Sequence, residues 1–173
     1  MRQNRTIHVD DGSRQTSLFG NSTDYIFDVE SKTQNLFFLH GAFHIYNERN
    51  YIKKITQTTD KALYNRLEDI LNTDEKDIVC VFQCDNKKDE IEKNKYLRRC
   101  LFKLKHLSGD LIIIGSALSE NDSHIFENIN NSNLKTIYIS VLEEDKEKMS
   151  KIAHEIFSNK EVILFDAESI SYK

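Results

Sequence analysis

The chain has 173 residues, 24 Lys and Arg against 28 Asp and Glu, a formal net charge of -4 and a pI near 5.9. That length favours one domain able to bury its own core, and the acidic balance argues against a protein held on nucleic acid by bulk charge. No apolar run approaches the ~20 residues that span a bilayer, the N-terminus lacks the apolar centre of a secretory signal, and three cysteines make no disulfide framework, so a reducing cytoplasm is the expected compartment.

Residues 1–34 show little periodicity, and "DDGSRQTSLFGNSTD" is polar and punctuated by glycine. An irregular N-terminal segment is expected there, with one short strand at "YIFDV" (25–29). From residue 35 the pattern changes. "NLFFL" (35–39) is a short apolar run that reads as a buried strand ending on His40-Gly41. "FHIYNERNYIKKIT" (43–56) has two arms around Asn47-Glu48-Arg49, a hairpin pattern. "KALYNRLEDIL" (61–71) sets Leu63, Leu67, Ile70 and Leu71 at helical spacing. "DIVCVFQ" (77–83) is β-branched. "NKYLRRCLFKLKHLSG" (94–109) puts Leu97, Cys100, Leu101, Leu104 and Leu107 on one helical face, with Gly109 expected just past its C-terminus.

"DLIIIGSA" (110–117) is the most apolar strand of the chain and ends on Gly115. A short helix follows over 120–129 with Ser119 as its cap. "KTIYISV" (135–141) is a strand, and "EEDKEKMSKIAHEIF" (143–157) is a helix with acids at its start, as the dipole favours. "EVILFDA" (161–167) closes the series. Strands alternating with helices predict an α/β domain over 35–173 with a mostly parallel sheet between helical layers, a Rossmann-like three-layer sandwich.

In such a sheet, ligands sit beyond the carboxyl ends of the strands. His40-Gly41 and Gly115-Ser116-Ala117 both fall at expected strand ends. Glycine there lets a ligand approach the backbone, although a plain tight turn asks for the same residue. At a strand end His40 can accept a proton near neutral pH, or it can simply close the turn. Metal binding is not indicated. Gly41 breaks any helix that would join His40 to His44, and Cys80 and Cys84, read along one strand, are too far apart to chelate one ion. The basic face of the 94–107 helix (Lys95, Arg98, Arg99, Lys103, Lys105) reads as a solvated face before it reads as a nucleic-acid contact.

"FFLHGAFHIY", "NKYLRRCLFKL", "LIIIGSALSENDSHIFENI" and "ILFDAESI" together resemble the C-terminal half of a bacterial sirtuin-like family, that of domain of unknown function 4917. The resemblance covers roughly residues 35–170. It implies a sirtuin-like fold and NAD as cofactor. His40 would be the general base that activates a ribose hydroxyl, and Gly41, Gly115 and Ser116 would bind the cofactor. Asp122 and His124 match the family pattern without a stated role. Several bacterial sirtuin-like domains are NAD-consuming effectors in antiphage defence, and the resemblance brings that context with it.

The departures are equally specific. The Gly-rich loop that wraps the NAD phosphates and the Asn-x-Asp segment that positions water are missing. Ala117 stands where the pattern has serine, with the hydroxyl shifted to Ser116. The zinc-binding cysteine pairs are missing too, so no metal is implied. The chain therefore reads as the rear half of such a domain, incomplete or inactive alone, with an upstream half or a homo-oligomer expected to complete it. The competing reading is a non-catalytic α/β module that binds a partner protein or a nucleotide.

Overall fold

The computed structural model describes residues 8–15, 24–58, 60–82 and 86–171. The chain divides into two compact units, Met1–Cys100 and Leu101–Lys173.

The first unit holds strands β1 (Ser13–Arg14), β2 (Tyr25–Phe27), β3 (Gly41–Glu48), β4 (Tyr51–Lys54) and β5 (Lys76–Cys80), with helices α1 (Leu63–Leu71) and α2 (Lys87–Lys93). The five strands form one sheet in the order β1-β2-β4-β3-β5, and every pair is antiparallel. The second unit holds β6 (Ser108–Ile113), α4 (Ser123–Asn130), β7 (Asn133–Val141), α5 (Lys146–Ile156) and β8 (Glu161–Asp166). Its three strands form a parallel sheet in the order β6-β7-β8. Helix α3 (Lys95–Lys105) contains the boundary between the units.

The single, mostly parallel Rossmann-like sheet is therefore overturned: parallel pairing is confined to three strands. The cause is connection length. A parallel neighbour needs a crossover of a dozen or more residues, whereas β3 and β4 are separated only by Arg49 and Asn50. Arg49 takes φ 57 in that turn. From β6 onward each connection is a helix, and parallel pairing follows.

The expected strand at 35–39 is also overturned. Residues 34–38 have no regular structure, and residues 39 and 40 form a turn. Asn35 and Leu36 donate their amides to the Asp10 carbonyl, and the Phe38 amide donates to the Tyr96 hydroxyl at 3.3 Å. With its amides taken by a loop carbonyl and a phenol, the run needs no sheet partner. It is only partly buried, Leu36 being exposed. Gly109 likewise does not end a helix. It is the second residue of β6, at φ 91, where the β6–β7 register shifts. Helix α2 carried no clear periodic signal. Cys84 lies outside the described residues.

The first core gathers Tyr46, Ile55 and Ile70, with Leu67 and Ile78 packed against them. Leu63 and Leu71 remain exposed, so α1 presents a narrower apolar face than its spacing suggests. Asp24 is buried in this unit and satisfied. Its carboxylate accepts from the Tyr46 hydroxyl at 2.7 Å and the Thr56 amide at 3.0 Å, and pairs with Arg66 at 2.7 Å. In the second unit Ile137, Ile139, Ala153 and Phe157 are fully buried, and Phe157 meets Phe126 edge-on at 5.6 Å. Full burial of each such large side chain is worth ~1.5–3 kcal/mol. Among the described residues no helix is long and apolar enough to cross a membrane.

Candidate ligand cleft at the carboxyl edge of the parallel sheet

The turn after β6 holds two residues in left-handed backbone, which costs glycine little and leucine more. Gly115 sits at φ 70 and Leu118 at φ 49. Between them, the Ser116 hydroxyl accepts from the Leu118 amide at 3.2 Å, an ST-type turn that fixes the loop. Ser119 then caps the short 3-10 turn at Glu120–Asp122, its hydroxyl accepting from the Asn121 amide at 3.3 Å. From the neighbouring strand, Ser140 accepts the Gly115 amide at 3.3 Å. That buried hydroxyl keeps its own proton to donate.

Gly115, Ser116 and Ser140 border a cleft of about 360 Å³ beyond the ends of β6 and β7. Gly115, Ser116 and Ala117 form one wall. Val141, Leu142, Met149 and Ile152 supply an apolar wall, and Asp145 and Lys148, both exposed, bring one charge of each sign. The volume lies at the lower end of the ~300–1,000 Å³ typical of small-molecule pockets. Nothing lies within 4 Å of a methyl built on Gly115, so its glycine answers to backbone dihedral and leaves open space before it. The glutamates at 143 and 144 and Asp145 crowd the approach to α5. A phosphate held there would depend on Lys148 rather than on the helix dipole.

Gly41 has a different reason to be glycine. At φ 76, a methyl on it would come 1.9 Å from the Val79 carbonyl oxygen. Gly41 pairs with Cys80, and a β-bulge separates that pair from Tyr46–Ile78. His40 precedes β3 instead of ending a strand. Its carbonyl accepts from the Val81 amide at 2.8 Å and its residue is half-buried. The His44 ring meets Phe38 edge-on at 5.0 Å. Burial, then the Lys54 charge, pushes its pKa below the ordinary value.

Asp122 stands at the N-cap of α4 and makes no side-chain capping bond. His124 is buried within α4, and its carbonyl accepts from the Asn128 side chain at 2.7 Å. Within the second unit the structure thus brings Gly115 and Ser116 to one cleft and adds Ser140, Asp145 and Lys148, which the sequence pattern did not single out. Ser140 was within reach of that pattern, because it falls near the end of an expected parallel strand. Asp145 and Lys148 carried no signal beyond their place in a helix start.

A wider cleft of about 680 Å³ in the first unit is bordered by Asn47, Asp77, Val79, Glu90, Lys93 and Leu97, among others. Lys93 pairs there with Glu90 at 2.5 Å and Arg49 with Glu75 at 3.5 Å, and Asp74, Asp77 and Lys95 line it as well.

No curated protein and no solved structure matches the chain. The comparisons carry nothing for a sirtuin-like relationship. The model of one family, described as Domain of unknown function (DUF4917), matches residues 2–172. The match spans nearly the whole sequence, the first 34 residues included, and the chain belongs to that family.

Proposed function

We propose that the second unit binds a nucleotide in the cleft beyond β6 and β7, with NAD and its adenosine half as the first ligands to test. The observation that carries this reading is the cleft at the carboxyl edge of a parallel sheet, where ligands of open α/β sheets collect. Its chemistry is amphiphilic in the way a nucleotide needs. The apolar wall of Val141, Leu142, Met149 and Ile152 suits a base, and the Ser116 and Ser140 hydroxyls with the open backbone at Gly115 suit a ribose. The Asp145 carboxylate can accept from a ribose diol, and the Lys148 ammonium can meet a phosphate.

The test is calorimetry of the full chain with NAD, AMP and adenosine. Saturable binding of AMP, weakened by Lys148→Ala while adenosine binding holds, supports the reading. Gly115→Val should weaken all three by filling the approach. No saturable heat with any of them at millimolar concentration overturns it. The role that the resemblance gives His40 is a separate proposal about turnover. NAD loss that continues at the parent rate in a folded His40→Ala chain would end it.

A further inference from the structure

Among the described residues β6 lies at an edge of its sheet, and it ends on the apolar run Leu111-Ile112-Ile113, which Ile114 continues. β6 ends the order β6-β7-β8, so its outer backbone amides and carbonyls face away from β7. Ile112 is 62% exposed and Ile114 53%, whereas the central β7 buries Ile137 and Ile139 completely. Four consecutive apolar residues, Leu111 to Ile114, are the signature of a strand covered on both faces, yet the face that carries Ile112 and Ile114 is open. What covers this edge must bring backbone donors and acceptors as well as apolar side chains, and that describes another β-strand.

We propose that the covering strand is β6 of a second copy of this chain, paired antiparallel across a two-fold axis into one six-stranded sheet. The edge is self-complementary. Pairing centred on Ile112 sets Ile112 against Ile112 and Leu111 against Ile113. The two Asp110 carboxylates fall four residues apart along the strands, ~13 Å at ~3.3 Å per residue and beyond the ~8 Å screening length of physiological salt. The opposite edge lacks this property. β8 begins on Glu161 and ends on Asp166, both exposed, so the same operation would set carboxylate against carboxylate at each end. Six strands is also an ordinary sheet size, near the ~5–6 average. The proposal does not depend on the nucleotide reading.

The experiment is sedimentation of the full chain from low to high micromolar concentration, with hydrogen exchange at both ends of that range. A two-fold dimer is expected, with the outward-facing amides of β6, every second one over residues 111–114, gaining protection as it forms. The double variant Ile112→Asp with Ile114→Asp places carboxylate against carboxylate at the axis and, on either side of it, against the partner's Asp110. Both residues are exposed, so the fold should persist by circular dichroism while dimerisation weakens at least about tenfold. A parent that stays monomeric throughout overturns the proposal. So does a dimer that forms equally well in the folded double variant.

Discussion

Gly41 belongs to the first unit and Gly115 to the other, and their sequence settings are alike: each ends an apolar run and begins a polar or mixed one. Both take positive φ, yet they do opposite work. A methyl on Gly41 would strike the Val79 carbonyl of the adjacent strand, while a methyl on Gly115 would meet nothing within 4 Å. The first glycine lets two strands come together, and the other leaves room for something else. A glycine after an apolar run therefore has two physical meanings, and only the space around it separates them.

The largest effect should come from pressing on the crowded glycine. Gly41→Ala combines disfavoured backbone with a clash against main chain, and should cost roughly 3 kcal/mol or more in urea denaturation. Parent-like stability would show that β5 yields easily. Next is the buried acid of the same unit. Tyr46→Phe removes the phenol that donates to Asp24 and should cost about 2 kcal/mol, because a bond to a charged acceptor is lost where water is scarce. No change in the denaturation midpoint would mean that Thr56 and Arg66 suffice.

Gly115→Ala in the second unit should cost only about 1 kcal/mol, the price of backbone conformation without a clash. A loss as large as that of Gly41→Ala would abolish the contrast between the two turns. The smallest effect is electrostatic. The bond from Lys53, reinforced by Lys76, holds the Glu48 carboxyl below its ordinary 4.5 against the opposing pull of burial. The folded chain thus gives up that proton more readily than the unfolded one. The stabilisation is complete above about pH 4.5 and is lost as pH falls through the lowered value. Glu48→Gln should flatten this part of the stability–pH curve by less than about 1 kcal/mol, and an unchanged slope would remove Glu48 as its source.

Local signals were legible where the structure is local. The hairpin of 43–56, the helix spacing of 61–71 and 143–157, and the three strands from β6 to β8 all read out of neighbouring residues, although the hairpin turns at Arg49-Asn50, with Asn47 and Glu48 still paired in β3. The pairing of β3 with β5 did not, because Gly41 and Cys80 lie far apart in the chain and no short-range pattern names one strand's partner. "NLFFL" misled because apolar composition alone cannot tell a strand from a loop whose amides find Asp10 and Tyr96. The cleft was half legible. Gly115 and Ser116 stand at a strand end, while Asp145 and Lys148 arrive only through the packing of α5 beside it.

The Asp24 network also constrains the order of events during synthesis. Its partners Tyr46, Thr56 and Arg66 emerge from the ribosome after it, and the guanidinium comes last. Until α1 has been made, a carboxylate destined for burial has no cation, and burying it early would cost several kcal/mol. The nascent sheet should therefore hold open until Arg66 appears, and a chain stalled before α1 should be cut readily by protease around residue 24.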